Sequence, residues 1–308
     1  MKRILLFILI FGTGFCVYAQ KPIAIDSALT TRHGPEKGSL IIIGGGNVVA
    51  EIWDRFIELA GGVEKARIVV VTNASGDEKE DYHSAAIDTL SRRLGKNRIS
   101  RLHLKNIREA NDEKNFKILQ NATGIYFSGG RQWRIADVYL NTLTHLEFFN
   151  LLNRGGVIAG SSAGASIQGS FLWRGDTKGA QILIGDHTQG LGFLRNSIID
   201  QHLIVRNRQF DATEFIKIAP QFIGIGLNES TAIVVQKDEF EVIGASAVAV
   251  YDYTAITGKG NNSSVTRENY YGTSNRPFFF LNKGQKYDLK EHKIIRERNT
   301  NRTNQTSN

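Results

Sequence analysis

The feature that most constrains the fold of this chain is the segment Gly160-Ser161-Ser162-Ala163-Gly164. It directly follows the apolar run Gly156-Val157-Ile158-Ala159 and precedes the helix-compatible residues Ala165-Ser166-Ile167. A strand that turns sharply into a helix lifts the central serine of G-x-S-x-G out of the sheet, where it can act as a nucleophile. The alternative is an ordinary glycine- and serine-rich turn in which the serine caps a helix. The surrounding pattern favours Ser162 as a nucleophile in an α/β domain.

Apolar runs typical of buried strands alternate with helical patterns through the first half of the chain. The strand-like runs are 39–43, 68–71, 99–104, 124–127 and 157–159, and the helical patterns are 49–60, 85–94, 116–119 and 135–152. Continuous apolar strands alternating with helices predict a mostly parallel sheet with helices on both faces. Beyond residue 223, short runs at 232–235, 240–243 and 247–251 predict an antiparallel extension. We therefore expect one α/β domain over residues 39–282.

The first 19 residues have the pattern of a secretory signal peptide. Lys2 and Arg3 precede an apolar run at 4–11, and Val17-Tyr18-Ala19 supplies a small-residue cleavage site. We expect export to the periplasm or the outside, followed by a linker over residues 20–38. A lipid anchor on Cys16 is disfavoured because the bulky Phe15 precedes it, so no stable membrane anchor is expected. Cys16 is the only cysteine, which excludes disulfides and thiolate metal sites from the mature chain.

Positive charge is concentrated at the end of the chain. The formal net charge is +8, and residues 283–308 carry seven Lys or Arg against three Asp or Glu. This segment is predicted to be a basic, disordered tail, because its end is polar and lacks apolar residues. A nucleic-acid surface would interleave basic and aromatic residues on one face, so no nucleic-acid partner is expected. No motif with metal-ligand spacing occurs, and no metal or cofactor is expected.

A serine nucleophile needs a histidine base and a carboxylate that orients it. His202 follows the apolar run that begins at Ile198, and a polar cluster at a strand end is typical of a site. His187, in a glycine-flanked loop, is the alternative base. Of the remaining histidines, His33 lies in the leader and His292 in the tail. Helix or strand patterns contain His83, His103 and His145, for which we expect structural or solvated roles.

The orienting acid is predicted to be Glu229, which comes just after the apolar run 224–227. Asp200 is the rival. It lies two residues from His202, and on a strand the two side chains would point the same way, which suits substrate binding better. The oxyanion would be held by the N–H of Ala163 and by an N–H of the neighbouring Gly129-Gly130 loop, with Gly130 as the candidate.

Four segments together resemble motifs of the cyanophycinase / dipeptidase E family of serine peptidases. The family's G-T-S-A-G-A, F-T-G-G-x-Q, D-Q-H-F-x-x-R-x-R and G-I-G-x-D-E-x-T-A elements correspond, in family order, to residues 160–165, 127–132, 200–208 and 224–232. The resemblance implies a flavodoxin-like, class I glutamine amidotransferase-like fold. It also implies the triad Ser162, His202 and Glu229. The residues it implies at the substrate site are Gln132, Asp200, Gln201, Arg206 and Arg208.

The resemblance implies a peptide substrate. Cyanophycin, poly-aspartate decorated with arginine and cut to β-Asp-Arg, is one candidate, because two arginines suit a carboxylate. Three positions depart from the family pattern: Arg131 and Asp211 reverse the charge expected there, and Asn228 replaces an aspartate. We therefore expect an exported serine peptidase for acidic or isoaspartyl peptides.

Several alternatives remain. They are an exopeptidase for short Asp-containing peptides, and a non-catalytic binding protein on the same fold. An α/β-hydrolase esterase is less favoured, because in that fold the acid precedes the histidine along the chain. A homodimer is among the expected assemblies.

Overall fold

In the computed structural model, which describes residues 33–76, 84–257 and 278–296, the chain folds around two β-sheets. In chain order the strands are β1 (Ser39–Ile43), β2 (Ile68–Val71), β3 (Ile99–Leu102), β4 (Gly124–Phe127), β5 (Val157–Ser161), β6 (Gly169–Phe171), β7 (Leu194–Asp200), β8 (Ile223–Leu227), β9 (Thr231–Gln236), β10 (Glu239–Gly244), β11 (Val248–Tyr251), β12 (Phe279–Leu281), β13 (Lys286–Asp288) and β14 (Lys293–Ile295). The helices are α1 (Ala50–Leu59), α2 (Ala85–Leu94), α3 (Ile107–Ala110), α4 (Glu113–Gln120), α5 (Gln132–Tyr139), α6 (Leu143–Asn153), α7 (Ala163–Ser166), α8 (Thr213–Ile218) and α9 (Tyr253–Thr257).

The first sheet has the strand order β14-β13-β10-β9-β1-β5-β4-β2-β3. Its pairs β1–β5, β5–β4, β4–β2 and β2–β3 are parallel, as predicted, and β9, β10, β13 and β14 add antiparallel strands beside β1. Strand β5, which ends at the predicted nucleophile, therefore lies inside the sheet between β1 and β4. The carboxyl ends of parallel strands meet at one edge, which is where such sheets bind ligands.

Helices cover both faces of the parallel strands. On one face, α1 and α2 bury Ile52, Trp53 and Leu90 against β-strand residues such as Ile41 and Val70. On the other face, α3 to α6 pack over the alternate strand residues in the larger core cluster. Each strand is apolar on both sides because each side meets a helix layer. The α/β class and the placement of helices on both faces are confirmed.

The second sheet has the order β12-β11-β8-β7-β6. Strands β6, β7 and β8 are parallel, and β11 and β12 continue antiparallel. The predicted antiparallel extension is thus divided: β9 and β10 join the first sheet, whereas β11 joins the second. Two strand ends that carry predicted site residues, those of β7 and β8, come from this second sheet.

The predicted disordered tail is wrong over residues 283–296. These residues form β13 and β14, and Tyr287 and Leu289 are buried in the core, so the domain extends past residue 282. The Tyr287 hydroxyl also donates to the buried Asp252 carboxylate at 2.8 Å. Basic side chains dominate the sequence of this segment, so the apolar residues that pack it against the core were not recognised. Residues 297–308, the signal peptide and most of the predicted linker lie outside the described residues.

The long helix expected over residues 135–152 is two helices. Asn141 has φ +58, and Thr142 caps the second helix by accepting a hydrogen bond from the His145 N–H. The left-handed residue breaks the helix, although the apolar spacing continues across it. None of the helices in the described ranges is long and apolar enough to cross a membrane.

Candidate active site

Ser162 stands between β5 and α7 in a strained backbone conformation, with φ +57 and ψ −113. Its neighbours must be glycine: a Cβ on Gly160 would lie 2.1 Å from the Gly164 carbonyl oxygen, and a Cβ on Gly164 would lie 2.1 Å from the Phe127 carbonyl oxygen. The Ser162 N–H is held by the Ile43 carbonyl at 3.0 Å. The glycine spacing read from the sequence thus has a steric cause, and it fixes the serine at the edge of the sheet.

Three strand ends bring Ser162, His202 and Glu229 together. The Ser162 Oγ lies 2.9 Å from His202 Nε2, and His202 Nδ1 lies 2.5 Å from Glu229 Oε1. His202 follows β7 in a left-handed conformation (φ +54). It therefore does not continue the strand with Asp200, which the sequence pattern had allowed. Because of this turn, the side chains of His202 and Asp200 need not point to the same face of the sheet. The arrangement is a hydrogen-bonded chain from hydroxyl to imidazole to carboxylate.

A glycine loop after β1 supports this chain, a role that its sequence pattern did not predict. A Cβ on Gly45 would lie 2.3 Å from the His202 ring, and one on Gly46 would lie 2.8 Å from Glu229 Oε2. The Gly44 carbonyl also accepts from the His202 N–H, and the Gly45 carbonyl from the Ser230 N–H. The signal was present as three consecutive glycines at the end of a strand that pairs with β5.

The surroundings of His202 favour its neutral form. Burial lowers the pKa of the imidazole, and the positive charges of Arg206 and Arg208 lower it further, while the hydrogen bond to Glu229 acts in the opposite direction. The net result is a pKa below the usual value for histidine. A neutral Nε2 next to a serine hydroxyl can accept its proton.

His187, the alternative base, is not brought to Ser162. Its two ring nitrogens contact Asp186 Oδ1 at 2.8 Å and Asp137 Oδ1 at 2.7 Å. Partial burial lowers the pKa of His187, but the two carboxylates outweigh it and raise the pKa overall. His187 therefore links a surface loop to α5.

The predicted oxyanion donors are Ala163, which directly follows Ser162, and Gly130 in the neighbouring loop. Ala163 is the first residue of α7, and the first N–H groups of a helix have no partner within it. In the neighbouring loop, a Cβ on Gly129 would be 3.4 Å from the Ser162 Cβ, whereas one on Gly130 would meet the Ala74 carbonyl at 2.1 Å. The loop therefore approaches Ser162 through Gly129 and is anchored on its far side through Gly130.

Most of the expected substrate residues are engaged with other parts of the protein. Asp200 receives two hydrogen bonds of 2.9 Å from Arg174, and both side chains are almost fully buried. Arg208 donates to the Gln201 backbone and side chain, and Gln132 donates to the Trp173 and Arg174 carbonyls. Arg206 is exposed. Arg174 is a residue that the motifs did not single out, and it organises this group.

Two of the three departures from the family pattern have partners in or near the same group. Asp211 pairs with Arg174, so the reversed charge at this position is neutralised internally. Arg131 donates a hydrogen bond to the Asp176 carbonyl.

The third departure, Asn228, has a structural role. Its amide nitrogen donates to the Ala247 carbonyl at 2.8 Å and to the Ser246 hydroxyl at 3.2 Å. Its side-chain oxygen accepts from the Ile204 N–H at 3.2 Å. An ionised aspartate has no donors, so it could not make the contact with the Ala247 carbonyl.

A cavity of about 510 Å3 opens directly on Ser162 and His202. It lies toward α1 and α2, and Trp53, Thr89, Arg93 and Ser128 are among its lining residues. Gln132, Asp200, Gln201, Arg206 and Arg208 do not line it. Within the described ranges, no group of three or more His, Cys, Asp or Glu side chains is arranged to hold a metal ion.

Comparison with known proteins matches this chain to one family. The family model of Peptidase family S51 matches residues 39–243. A cyanophycinase from Geminocystis herdmanii (strain PCC 6308) is 28% identical over 263 residues, which cover 83% of this chain and 95% of the relative. A cyanophycinase from Synechococcus elongatus is 26% identical over 275 residues, covering 87% and 84%. The crystal structure of a peptidase from an acI-B1 Actinobacterium shares the fold, with a TM-score of 0.57, 22% identity, and coverage of 83% of this chain and 98% of that one.

Proposed function

Because the chain belongs to Peptidase family S51 and is a serine-type peptidase similar to cyanophycinases, we propose that it hydrolyses acidic or isoaspartyl peptide bonds through Ser162, His202 and Glu229. The observation that carries the proposal is the hydrogen-bonded chain from Ser162 Oγ through the His202 ring to Glu229. The strained backbone at Ser162 supports it, since such strain persists where the surrounding structure holds a functional group in place.

In the first half of the reaction, Ser162 Oγ attacks the substrate carbonyl while His202 Nε2 takes the hydroxyl proton. Glu229 accepts the hydrogen bond from Nδ1 and stabilises the imidazolium that forms. The oxyanion is held by the N–H of Ala163 and by an N–H of the Gly129-Gly130 loop, with Gly130 as the proposed donor. The imidazolium then gives its proton to the leaving nitrogen, and an acyl-enzyme remains. Water then attacks the acyl-enzyme, with His202 again as the base, and the acid and the free serine are released.

The preference for an acidic residue rests on positive charge near the triad. Arg206 is exposed, and Arg208 Nη2 is buried without a hydrogen-bond partner among the described residues. An unpaired guanidinium nitrogen is well suited to a carboxylate oxygen. A panel of cyanophycin, Asp-X dipeptides and Ala-Ala, in α and β linkages, tests this. Release of β-Asp-Arg from cyanophycin assigns the cyanophycinase branch, whereas cleavage of Asp-X dipeptides alone assigns an exopeptidase. Equal cleavage of Ala-Ala contradicts carboxylate recognition.

The triad is tested by substitution and by covalent labelling. Ser162→Ala should lower kcat by about 10⁴-fold or more and abolish labelling by a fluorophosphonate. His202→Ala should be nearly as damaging, because the two residues act as a unit. His187→Ala is the matched control and should keep most of the activity. An active His202→Ala variant together with an inactive His187→Ala variant would show that the base is assigned to the wrong histidine.

We also propose that the protein is exported. The charged start, the apolar run at 4–11 and the small residue Ala19 before Gln20 support it. Amino-terminal sequencing of the protein from the cell envelope and the medium should find a chain that begins at Gln20. Recovery of the intact amino terminus from the cytoplasm contradicts export.

A further inference from the structure

We propose that the cavity between Ser162 and helices α1 and α2 is the subsite for the leaving-group residue, and that it selects an uncharged side chain over a cationic one. The inference rests on the proposed function, because a leaving group requires Ser162 to act as the nucleophile. It goes beyond that function in naming the side of the substrate that the cavity receives and the chemistry that it favours.

The position of His202 identifies the leaving-group side. In serine catalysis the histidine Nε2 hands its proton to the leaving nitrogen, so the leaving group must lie against the imidazole. His202 and Ser162 both line the cavity. The arginines proposed to hold the acyl-side carboxylate, Arg206 and Arg208, do not line it. The two halves of the substrate are thereby assigned to different sides of Ser162.

Two aromatic rings provide an apolar wall in the cavity. Trp53 on α1 and Tyr126 on β4 have ring centroids 5.0 Å apart, and both residues are buried. They are fixed by the core formed between the sheet and helices α1 and α2, so the wall is preformed. Rigid aromatic surface of this kind favours aromatic or branched aliphatic side chains, whose burial releases water.

A buried hydroxyl in the same cavity lacks a hydrogen-bond partner within the part of the chain that the structure describes. Ser128 is 6% exposed, it lines the cavity, and its Oγ has no hydrogen-bond partner among the described residues. Leaving a buried polar group unpaired is unfavourable, so a bound group that pairs with it, once the Ser128 side chain has rotated toward the cavity, regains that free energy. The backbone amide of a leaving residue supplies both a donor and an acceptor for such a hydroxyl.

Arg93 supplies the charge that opposes a cation. Among the described lining residues it is the only one with a permanent charge, and its described partner is Asp54, an exposed side chain on α1. Asp54 does not line the cavity. An arginine or lysine side chain that enters the cavity therefore meets a guanidinium, and no carboxylate is among the described lining residues. Like charges brought together in this way disfavour binding.

The test compares leaving residues on a constant acyl part. Aspartyl dipeptide amides in the linkage that the enzyme accepts would carry Phe, Leu, Arg or Lys as the leaving residue. The amide form removes the terminal carboxylate, so only the side chain differs. We expect kcat/KM for Phe and Leu to exceed that for Arg and Lys by about tenfold or more, as expected for a charge placed against a like charge. Equal or faster cleavage before Arg and Lys overturns the inference.

Two substitutions in the cavity sharpen the test. Thr89→Glu places a carboxylate in the lining and should shift the Phe-to-Arg ratio toward Arg by about tenfold, while Ser91→Glu, on the same helix but outside the lining, should leave the ratio unchanged. Arg93→Gln should shift the ratio in the same direction by a smaller factor. Arg55→Gln, which removes a charge from α1 outside the cavity, is its control. Ratios that stay fixed in Thr89→Glu and Arg93→Gln contradict the inference.

A binding measurement keeps this inference separate from the proposed function. Phenylalaninamide and argininamide, as leaving-group analogues, are titrated against tryptophan fluorescence, with Trp53→Phe to assign the signal. We expect the phenylalanine analogue to bind more tightly. Equal or tighter binding of argininamide overturns the inference even when Ser162 is labelled and active. Failure of Ser162 to react, with selective binding retained, contradicts the proposed mechanism instead.

Discussion

On one side of Ser162 the charged side chains are bound to one another, and on the other side a cavity is left open with a single permanent charge in its described lining. Arg174, Asp200 and Arg208 are each at most 2% exposed and are joined by ion pairs. The open side has about 510 Å3 of space, with aromatic, small and hydroxyl-bearing residues around it. The charged residues of a motif can therefore be engaged internally. Two buried polar atoms near the site, Arg208 Nη2 and Ser128 Oγ, have no hydrogen-bond partner among the described residues.

The stability of the protein should be more sensitive to substitutions in the buried group of Arg174, Asp200 and Arg208 than to substitutions around the cavity. Arg174→Met leaves Asp200 as a buried carboxylate without its two strongest donors, and breaking a buried pair in this way costs about 3–5 kcal/mol. We expect the free energy of unfolding, measured by urea titration, to fall by this amount. Arg206→Met, at an exposed position two residues from Arg208, should change it by less than about 0.5 kcal/mol. Equal effects of the two substitutions would show that burial of the network does not matter.

Substitutions around the cavity should affect activity more than stability. Ser128→Ala removes a buried hydroxyl that has no partner among the described residues, so the free energy of unfolding should stay the same or rise by up to about 1 kcal/mol. If substrate pairs with this hydroxyl, kcat/KM should fall by about threefold to tenfold, the worth of one neutral hydrogen bond. Urea titration and steady-state kinetics measure the two effects. Ser91→Ala, outside the cavity, should change neither. A loss of stability without a loss of activity would assign Ser128 a structural role.

The sequence predicted the parts of the fold whose signal is local. Continuous apolar runs located the parallel strands, and the glycines around Ser162 located the turn, because both patterns follow from the packing of neighbouring residues. The break at Asn141 was not predicted, since the helical spacing runs through it. The docking of residues 286–295 was also missed, because a three-residue strand is stabilised by distant partners and its sequence is dominated by charge.

At the site, the sequence predicted the residues that the structure brings to Ser162 but not the interactions of their neighbours. The spacing of Asp200, Arg206 and Arg208 shows that charges gather there, but it does not show that Arg174, 26 residues from Asp200, takes up that carboxylate. The cavity lining combines residues of α1, α2 and β4 with the loop after β1 and with Ser162 and His202, and no single motif joins these parts of the chain. Both gaps have the same cause: hydrogen-bond partners and empty space are properties of the packed structure, and one sequence without its fold carries no direct record of them.

The smallest predicted effect is that of the exposed Arg206 on the pKa of His202. Burial lowers the pKa of His202, the hydrogen bond to Glu229 raises it, and the charge of Arg206 lowers it. In the proposed mechanism His202 must be neutral to accept the proton of Ser162, so kcat/KM should fall as the pH drops through this pKa. Arg206→Gln removes a positive charge and should raise the pKa, which moves the acid limb of the kcat/KM profile to higher pH. Salt screens an exposed charge, so the difference from the wild type should shrink at high ionic strength.

A weaker contact with substrate alone would lower the whole profile without moving its acid limb. Arg55→Gln, which removes a distant charge, should leave the limb in place. A limb that moves to lower pH in Arg206→Gln would contradict the assigned direction of the coupling between Arg206 and His202.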